Sequence, residues 1–197
     1  MIGARTKLLR SPDFVQTGRD LEEQLETWIA SSDPFALVEL LDEHLIHLLG
    51  DVFERVGGCE GTVWLADRSE GNLVAVYNSG IDSESLIGFE QPIGTGIISM
   101  VFSQQQPYCE NEISSSAGHD DTLDKKISKH TTAMIAVPFY FAFGLRGVIS
   151  CVQLEESPTS KEGFSSSDVA ELGNVSNIIE RLINEALLTS ALGLSDG

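Results

Sequence analysis

The side chains best suited to nucleophilic chemistry are the thiols of Cys59, Cys109 and Cys151. They are odd in number, widely spaced and unlike any zinc-binding pattern, so the sequence indicates neither a disulfide framework nor a structural zinc site. Cys109 is the candidate for a reactive thiol, but the neighbouring Glu110 and Glu112 oppose formation of its thiolate. We therefore predict three reduced thiols of ordinary reactivity.

Two clusters combine imidazole and carboxylate groups, which are common metal ligands. His44, His47 and Asp51 are spaced to share one face of a helix, and residues 119–121 read His-Asp-Asp. The first cluster lies beside an apolar stripe, where a structural histidine is the commoner outcome. The second lies in a polar stretch, where solvated side chains are expected. We predict no metal site and no bound cofactor.

Other catalytic patterns are missing from the sequence. No Gly-x-Ser-x-Gly segment follows a predicted strand, so a serine nucleophile is not indicated. The pair Gly94 and Gly96 resembles part of a phosphate-binding loop, but no lysine follows it, and Pro92 fits poorly in a buried strand that feeds such a loop. The sequence therefore predicts no catalytic residue, and a binding protein rather than an enzyme.

Apolar residues at helical spacing predict two helices before the first strand. The first is expected over residues 20–33, and the second begins at Pro34, capped by Ser32 or Asp33, and continues to the glycines at 57–58. The apolar stripe of the second helix is wider than one contact with a sheet requires. This surplus favours a second packing partner.

Apolar runs predict two hairpins. Residues 59–66 and 73–77 read as paired strands, and residues 131–154 read as a second, buried hairpin. Pro138 is expected where hydrogen bonding of its strand stops, because proline donates no backbone hydrogen bond. Gly144 is expected to supply the positive φ of the turn.

The chain has 197 residues, a hydrophobic content of 42% and a formal net charge of −18. This length and hydrophobic content suit one domain. The negative charge argues against nucleic acid as a partner, because a binder must set cations against phosphates. No apolar run is long enough to span a membrane, so we expect a cytoplasmic protein. The expected boundaries are a mobile tail at 1–19, a flanking helix at 20–33, a domain at 34–190 and a tail at 191–197.

Residues 88–107 combine a glycine turn with a short helix, for which Thr95 is a candidate cap. The marker residues are Pro92, Gly94, Gly96, Gln106 and Pro107. A Pro-aliphatic-Gly-x-Gly turn that opens a short helix ending before a Gln-Pro-like break resembles the GAF domain, a family of small-molecule sensor modules. The glycines also have a local reason, because a backbone that turns into a helix needs positive φ or close approach.

Two further features resemble the same family. One strand ends in Val137-Pro138, and the next begins at Gly147 after a short turn. Phe164 precedes the last helix, with Asp168 four residues further on. The order and spacing of these features extend over residues 34–188, so the chain is identified as a member of the GAF family.

The resemblance implies a GAF/PAS-like α+β fold with a central antiparallel sheet of about six strands. It implies terminal helices on one face of the sheet and a ligand pocket on the other, under a lid formed by residues 110–130. The pocket is expected to be lined by residues from the sheet, the turn after Pro92 and the lid. The predicted ligand-binding residues are Tyr77, Ile93, Thr95, Phe102, His119, Thr131 and Met134.

Three specialised groups of GAF domains match less well. Cyclic-nucleotide-binding members share an Asn-Lys, Phe and Asp-Glu set, of which only Phe164 and Asp168 are present, since Val169 replaces the Glu. Members that reduce free methionine sulfoxide have a cysteine in the Gly-x-Gly helix, where residues 97–98 are isoleucines, and others in the lid, where residues 118–130 contain none. The bilin-attaching Cys-His pair of photoreceptors is also absent.

These features predict a non-enzymatic sensor or regulatory domain in signal transduction, whose small-molecule ligand alters a helical dimer interface. Two alternatives stay open: a degenerate GAF domain that serves only as a dimerisation scaffold, and a thiol reductase acting through Cys109. Surplus apolar residues at 21–28 and 172–186, with Leu182 and Leu187 off the core seam, predict a parallel homodimer. A protein signalling partner is a further expectation.

Overall fold

The structure of the chain is a computed structural model that describes residues 12–67, 69–113, 130–157, 159 and 161–191, with side chains from Val15 onward. Most of the predicted lid, including the cluster at 119–121, lies outside the described residues. The described part folds around one antiparallel sheet, with helices packed on both of its faces.

The described residues form six helices and six strands. The helices are α1 (Pro12–Ser31), α2 (Pro34–Val38), α3 (Glu43–Arg55), α4 (Ser83–Leu86), α5 (Gly96–Gln104) and α6 (Ser166–Ala191). The strands are β1 (Glu60–Asp67), β2 (Asn72–Asn78), β3 (Glu90–Pro92), β4 (Tyr108–Glu110), β5 (Thr131–Phe141) and β6 (Gly144–Leu154). Within this part of the chain, no helix has the length and apolar character needed to cross a membrane.

The sheet has the strand order β3-β2-β1-β6-β5-β4, and every neighbouring pair is antiparallel. Helices α3 and α6 pack on one face, which we call the α6 face, and α5 packs on the other, which we call the α5 face. The predicted α+β class with a six-stranded antiparallel sheet is therefore confirmed.

The central hairpin differs from the prediction at its turn. Phe141 pairs with Gly144, so Ala142 and Phe143 form a two-residue turn with φ values of 45° and 60°. Tight turns that suit the twist of a hairpin need positive φ at both central residues, and Gly144 is already part of the strand. The prediction that Gly144 supplies the positive φ was therefore wrong. Pro138 lies within β5, where pairing with β4 has ended at Ala136 but pairing with β6 continues.

The first helices also differ from their predicted limits. Helix α1 begins at Pro12, upstream of the predicted start at residue 20. Proline suits this position, because its missing N–H is not needed in the first turn of a helix. The single helix expected from Pro34 is divided into α2 and α3. Asp42 interrupts it, since its side chain accepts a hydrogen bond from the backbone N–H of Leu45 and caps a new helix.

The α6 face contains the larger apolar core. Its fully buried members include Leu172, Ile179 and Ile183 of α6, together with Phe139 and Phe141 of β5. The two phenylalanine rings have centroids 5.3 Å apart. Leu187, predicted to lie off the core seam, instead packs against this core. The surface of α6 that remains uncovered is therefore narrower than the sequence suggested.

The close approach of β1 and β6 at Gly147 can be tested by substitution. A β-carbon at Gly147 would lie 1.8 Å from the backbone oxygen of Trp64. We expect Gly147→Ala to lower the free energy of unfolding by roughly 3 kcal/mol, measured from the midpoint of urea unfolding, because paired backbones cannot move apart cheaply.

Gly173→Ala is the matched control, because this α6 position has no atom within 4 Å of an added β-carbon. It should be neutral or stabilising by up to about 1 kcal/mol, since alanine favours helix. Equal stability of the two variants would contradict the described packing of β1 against β6.

Candidate functional site

The α5 face is the side of the sheet on which the sequence predicted a ligand site. Its buried apolar side chains come from four strands, α4 and α5, and they form one cluster: Trp64, Leu73, Ala75, Leu86, Ile97, Ile98, Val101, Ala136 and Val148. Half-buried Phe102, Tyr108 and Met134 pack against the edge of this cluster. The face therefore combines a closed apolar base with a partly exposed apolar rim.

The glycine turn before α5 positions that helix against the sheet. Gly94 and Gly96 have φ values of 114° and 74°, as the predicted need for positive φ requires. The Gly94 N–H donates to the hydroxyl of Ser99, and the side-chain amide of Gln91 donates to the Thr95 carbonyl at 2.8 Å. These bonds fix the direction in which α5 leaves the sheet, so that Ile97, Ile98 and Val101 meet the strands.

Trp64 is the largest side chain in the base of the site. Its indole N–H donates to the Ser150 hydroxyl at 3.0 Å, and its ring lies edge-on to that of Phe89, with centroids 6.3 Å apart. A buried tryptophan needs such a partner for its N–H. The indole is consequently fixed in place, and at 2% exposure it belongs to the closed base of the site.

Three buried polar side chains, Thr62, Asn78 and Ser150, form what we call the polar strip. Thr62 and Asn78 are paired across β1 and β2, and the Asn78 amide donates to the Thr62 hydroxyl at 2.9 Å. The Asn78 carbonyl oxygen accepts a hydrogen bond from the Gly80 N–H at 2.8 Å. Because buried polar groups must be hydrogen-bonded, these contacts keep the strip in one conformation.

The structure brings three of the predicted site residues to the α5 face. Phe102 and Met134 both pack against the apolar cluster. Thr131 is buried and lies opposite Leu154 of β6, and Met134 lies opposite Val152. Leu154 and Val152 are two residues apart on β6 and therefore share a face, so their partners Thr131 and Met134 share that face too.

The other predicted residues lie elsewhere. Tyr77 pairs with Val63 and packs against the core of the α6 face, where burial raises the pKa of its phenol. Ile93 is exposed beyond β3. Thr95 occupies the N-cap position but caps nothing, because its hydroxyl donates to the Pro92 carbonyl at 3.2 Å. His119 lies outside the described residues.

Sequence analysis did not identify Trp64 or the polar strip as parts of a site. The available signal was a set of polar residues inside apolar strands, namely Thr62, Asn78 and Ser150. Strand periodicity shows which residues of one strand share a face, but it does not show which face binds a ligand.

Cys109 lies on the α6 face rather than in the candidate site. It pairs with Ile135, packs against the core of that face, and its Sγ lies 3.7 Å from the Phe164 carbonyl oxygen. Burial raises the pKa of the Cys109 thiol, and the carboxylates of Glu110 and Asp168 raise it further. These surroundings are the reverse of those that activate a thiolate. Burial also strongly raises the pKa of the Cys151 thiol.

The loop before α6 is fixed by Asp168. Its carboxylate accepts hydrogen bonds from the Lys161 ammonium and from both the N–H and the hydroxyl of Ser165. Burial opposes ionisation of Asp168, but these bonds lower its pKa overall. At the predicted Phe164 and Asp168 feature, Asp168 therefore fastens the first turn of α6 to the loop that precedes it.

No metal centre is found in the described ranges, where His, Cys, Asp and Glu form no group of three able to hold an ion. His47 lies 3.6 Å from a Glu43 oxygen at the surface of α3. The imidazole at position 47 is thus part of an exposed pair within its own helix.

Comparison with known proteins rests on structure alone, since no protein-family profile and no curated protein matches the sequence. The GAF domain of a Coxiella burnetii phosphoenolpyruvate-protein phosphotransferase aligns with 89% of this chain and 96% of its own, at a TM-score of 0.59 and 14% identity. The GAF domain of a Bacillus halodurans two-component sensor histidine kinase aligns over 75% and 97%, at a TM-score of 0.56 and 16% identity.

The chain has the GAF fold. A third similar structure is the free methionine-R-sulfoxide reductase of Neisseria meningitidis, with 91% and 95% of the two chains aligned, a TM-score of 0.56 and 19% identity. The GAF fold therefore includes enzymes. The prediction that this chain is not an enzyme was wrong, because it relied on the absence of familiar catalytic patterns although chains of the same fold include a reductase.

The environment of Cys109 generates a test of its reactivity. A raised thiol pKa means less thiolate at neutral pH, so iodoacetamide should label Cys109 more slowly than a free cysteine, with an apparent pKa above the usual value of about 8.5. Peptide mass spectrometry across a pH series measures this rate for the folded protein.

Glu110→Gln should accelerate the labelling, because it removes a negative charge that raises the thiol pKa. Glu54→Gln, at an exposed position of α3, is the control and should leave the rate unchanged. An apparent pKa below the free value at Cys109 would instead indicate an activated thiolate.

Proposed function

We propose that this GAF-fold domain is a sensor or regulatory module that binds a small molecule on its α5 face. The observation that carries the proposal is the rim of that face, where Phe102, Tyr108 and Met134 are partly exposed and buried Thr131 lies on the same face of β5 as Met134. Ligand sites characteristically combine apolar walls with a few directed polar groups.

The composition of this face favours a planar, weakly charged ligand. Half-buried Phe102 and Tyr108 supply aromatic surface at the rim, and Thr131 supplies a hydroxyl group on the same face. A formal net charge of −18 repels highly anionic compounds. Three free thiols, one of them buried, suit a reducing compartment such as the cytoplasm.

Ligand binding is tested by native mass spectrometry of the purified protein, followed by thermal-shift screening of a metabolite library that includes purines. A compound at about 100 times its Kd should stabilise the fold by roughly 2.7 kcal/mol. Phe102→Ala and Thr131→Val should remove the stabilisation, because they delete rim surface and the buried hydroxyl.

Thr132→Val is the matched control, since Thr132 is exposed on the same strand. Binding that survives both site variants would locate the ligand elsewhere. If no compound copurifies and the library yields no hit, the alternative of a GAF-fold dimerisation scaffold is favoured.

We further propose that the domain forms a homodimer through the outer surface of α6. Ile178 and Leu182 are spaced one turn apart on that helix and are 46% and 44% exposed. Trp28 is exposed on α1. Neighbouring apolar side chains on an uncovered helix surface favour a symmetric contact between copies.

The dimer is tested by sedimentation equilibrium. Ile178→Glu combined with Leu182→Glu should convert a dimer to a monomer, because the contact would bury two like charges from each copy. Ile81→Glu is the control, since Ile81 is 95% exposed in a different part of the fold. A wild-type monomer at ordinary working concentrations, or a dimer that survives the double change, would contradict the proposed interface.

A further inference from the structure

Helix α1 is attached to the rest of the domain through few side chains. From Val15 to Ser31, only Leu25 and Ile29 are buried, and Leu21 is half-buried. The remaining side chains in this range are exposed. A helix stabilised mainly by tertiary packing needs a continuous apolar contact, which α1 makes only in its second half.

A cavity of about 230 Å³ lies beneath the C-terminal turn of α1. Its wall includes Ile29 of α1, Leu37 of α2, Ala66 of β1 and Arg146 of β6. Exposed Ala30, Ser31 and Asp33 also line this space, so it is a pocket partly open to solvent and not a void inside the core. The C-terminal turn of α1 therefore borders solvent on this side, and its apolar contact with the domain is limited to a few side chains.

Among the residues that the structure describes, one ion pair connects α1 to the sheet. Glu26 accepts hydrogen bonds from both terminal nitrogens of Arg146, at 3.3 Å from Nη1 and 2.6 Å from Nη2. The Arg146 side chain is only 3% exposed, whereas that of Glu26 is 51% exposed. Bidentate arginine–carboxylate contacts are among the stronger side-chain ion pairs.

Arg146 also binds the turn of the central hairpin. Its Nε donates to the Phe141 carbonyl at 3.1 Å, and its Nη2 donates to the Ala142 carbonyl at 2.7 Å. The peptide group between Phe141 and Ala142 has a second partner, because the Ala142 N–H donates to Asn184 of α6 at 2.7 Å. This one peptide group therefore contacts α6 through Asn184 and is linked to α1 through Arg146 and Glu26.

We propose that α1 is a releasable strap, and that the Glu26–Arg146 ion pair is its latch. Removal of Glu26 from a permanently buried arginine would leave an unpaired charge. When α1 itself departs, however, water reaches Arg146 from the side that α1 covered, and the two turn carbonyls remain bound. The strap can therefore open as a local unit while the sheet and α6 stay folded.

The latch is tested by hydrogen–deuterium exchange of the complete chain, read by mass spectrometry. In Glu26→Gln, amides in residues 15–31 should exchange on the order of tenfold faster than in the wild type, because the charged contact that closes the strap is lost. Exchange in β5 and β6 should be unchanged.

Glu23→Gln is the matched control, since Glu23 is exposed on the same helix, and it should not change exchange. Tryptic cleavage after Arg19 provides a second measurement and should accelerate only in Glu26→Gln. Unchanged exchange of α1 in Glu26→Gln would overturn the latch. Equal acceleration in α1, β5 and β6 would overturn the strap, because α1 would then open only with the whole domain.

Discussion

The pairing of β5 with β6 is the interaction on which the rest of the structure depends. The two strands pair from Thr131 and Leu154 to Phe141 and Gly144, and they form the centre of the sheet together with β1. Alternate residues of this hairpin build both cores, since Phe139 points to the α6 face and Ala136 to the α5 face. A shift of the register by one residue would exchange these two sets, so the hairpin fixes both the packing of the terminal helices and the chemistry of the candidate site.

Local periodicity explains which parts of the fold the sequence predicted. The central hairpin, the glycine turn before α5 and the last helix each depend on residues close together in the chain, and all three are present. The face occupied by Tyr77 was not predictable in this way. An irregularity in the β1–β2 register between Val63 and Trp64 changes which β2 residues face α6. The division of the second helix at Asp42 likewise results from one side-chain cap, which the apolar stripe does not reveal.

Part of the candidate site was also predictable from segments that are local in the chain. Phe102, Thr131 and Met134 lie in segments that the GAF resemblance had already placed at a pocket, and they share the α5 face. The indole of Trp64 and its partner Ser150 are 86 residues apart in the chain, so their contact exists only after β1 pairs with β6. The GAF fold includes enzymes as well as sensor domains, so chemistry must be judged from individual groups. At Cys109, the α6-facing position and nearby carboxylates oppose thiolate chemistry.

The turn at Ala142 and Phe143 shows how two distant parts of the chain become coupled. Positive φ is unfavourable for a bulky residue such as Phe143, and it persists only where surrounding contacts fix the backbone. Those contacts come from Arg146 and from Asn184, so the conformation of the turn depends on groups that also hold α1 and α6. Hydrogen bonds on the two sides of one peptide group polarise each other, and weakening of one is expected to weaken the other. Arg146 and Asn184 therefore hold opposite sides of one peptide group, which places the residue that binds α1 and a residue of α6 at the same turn.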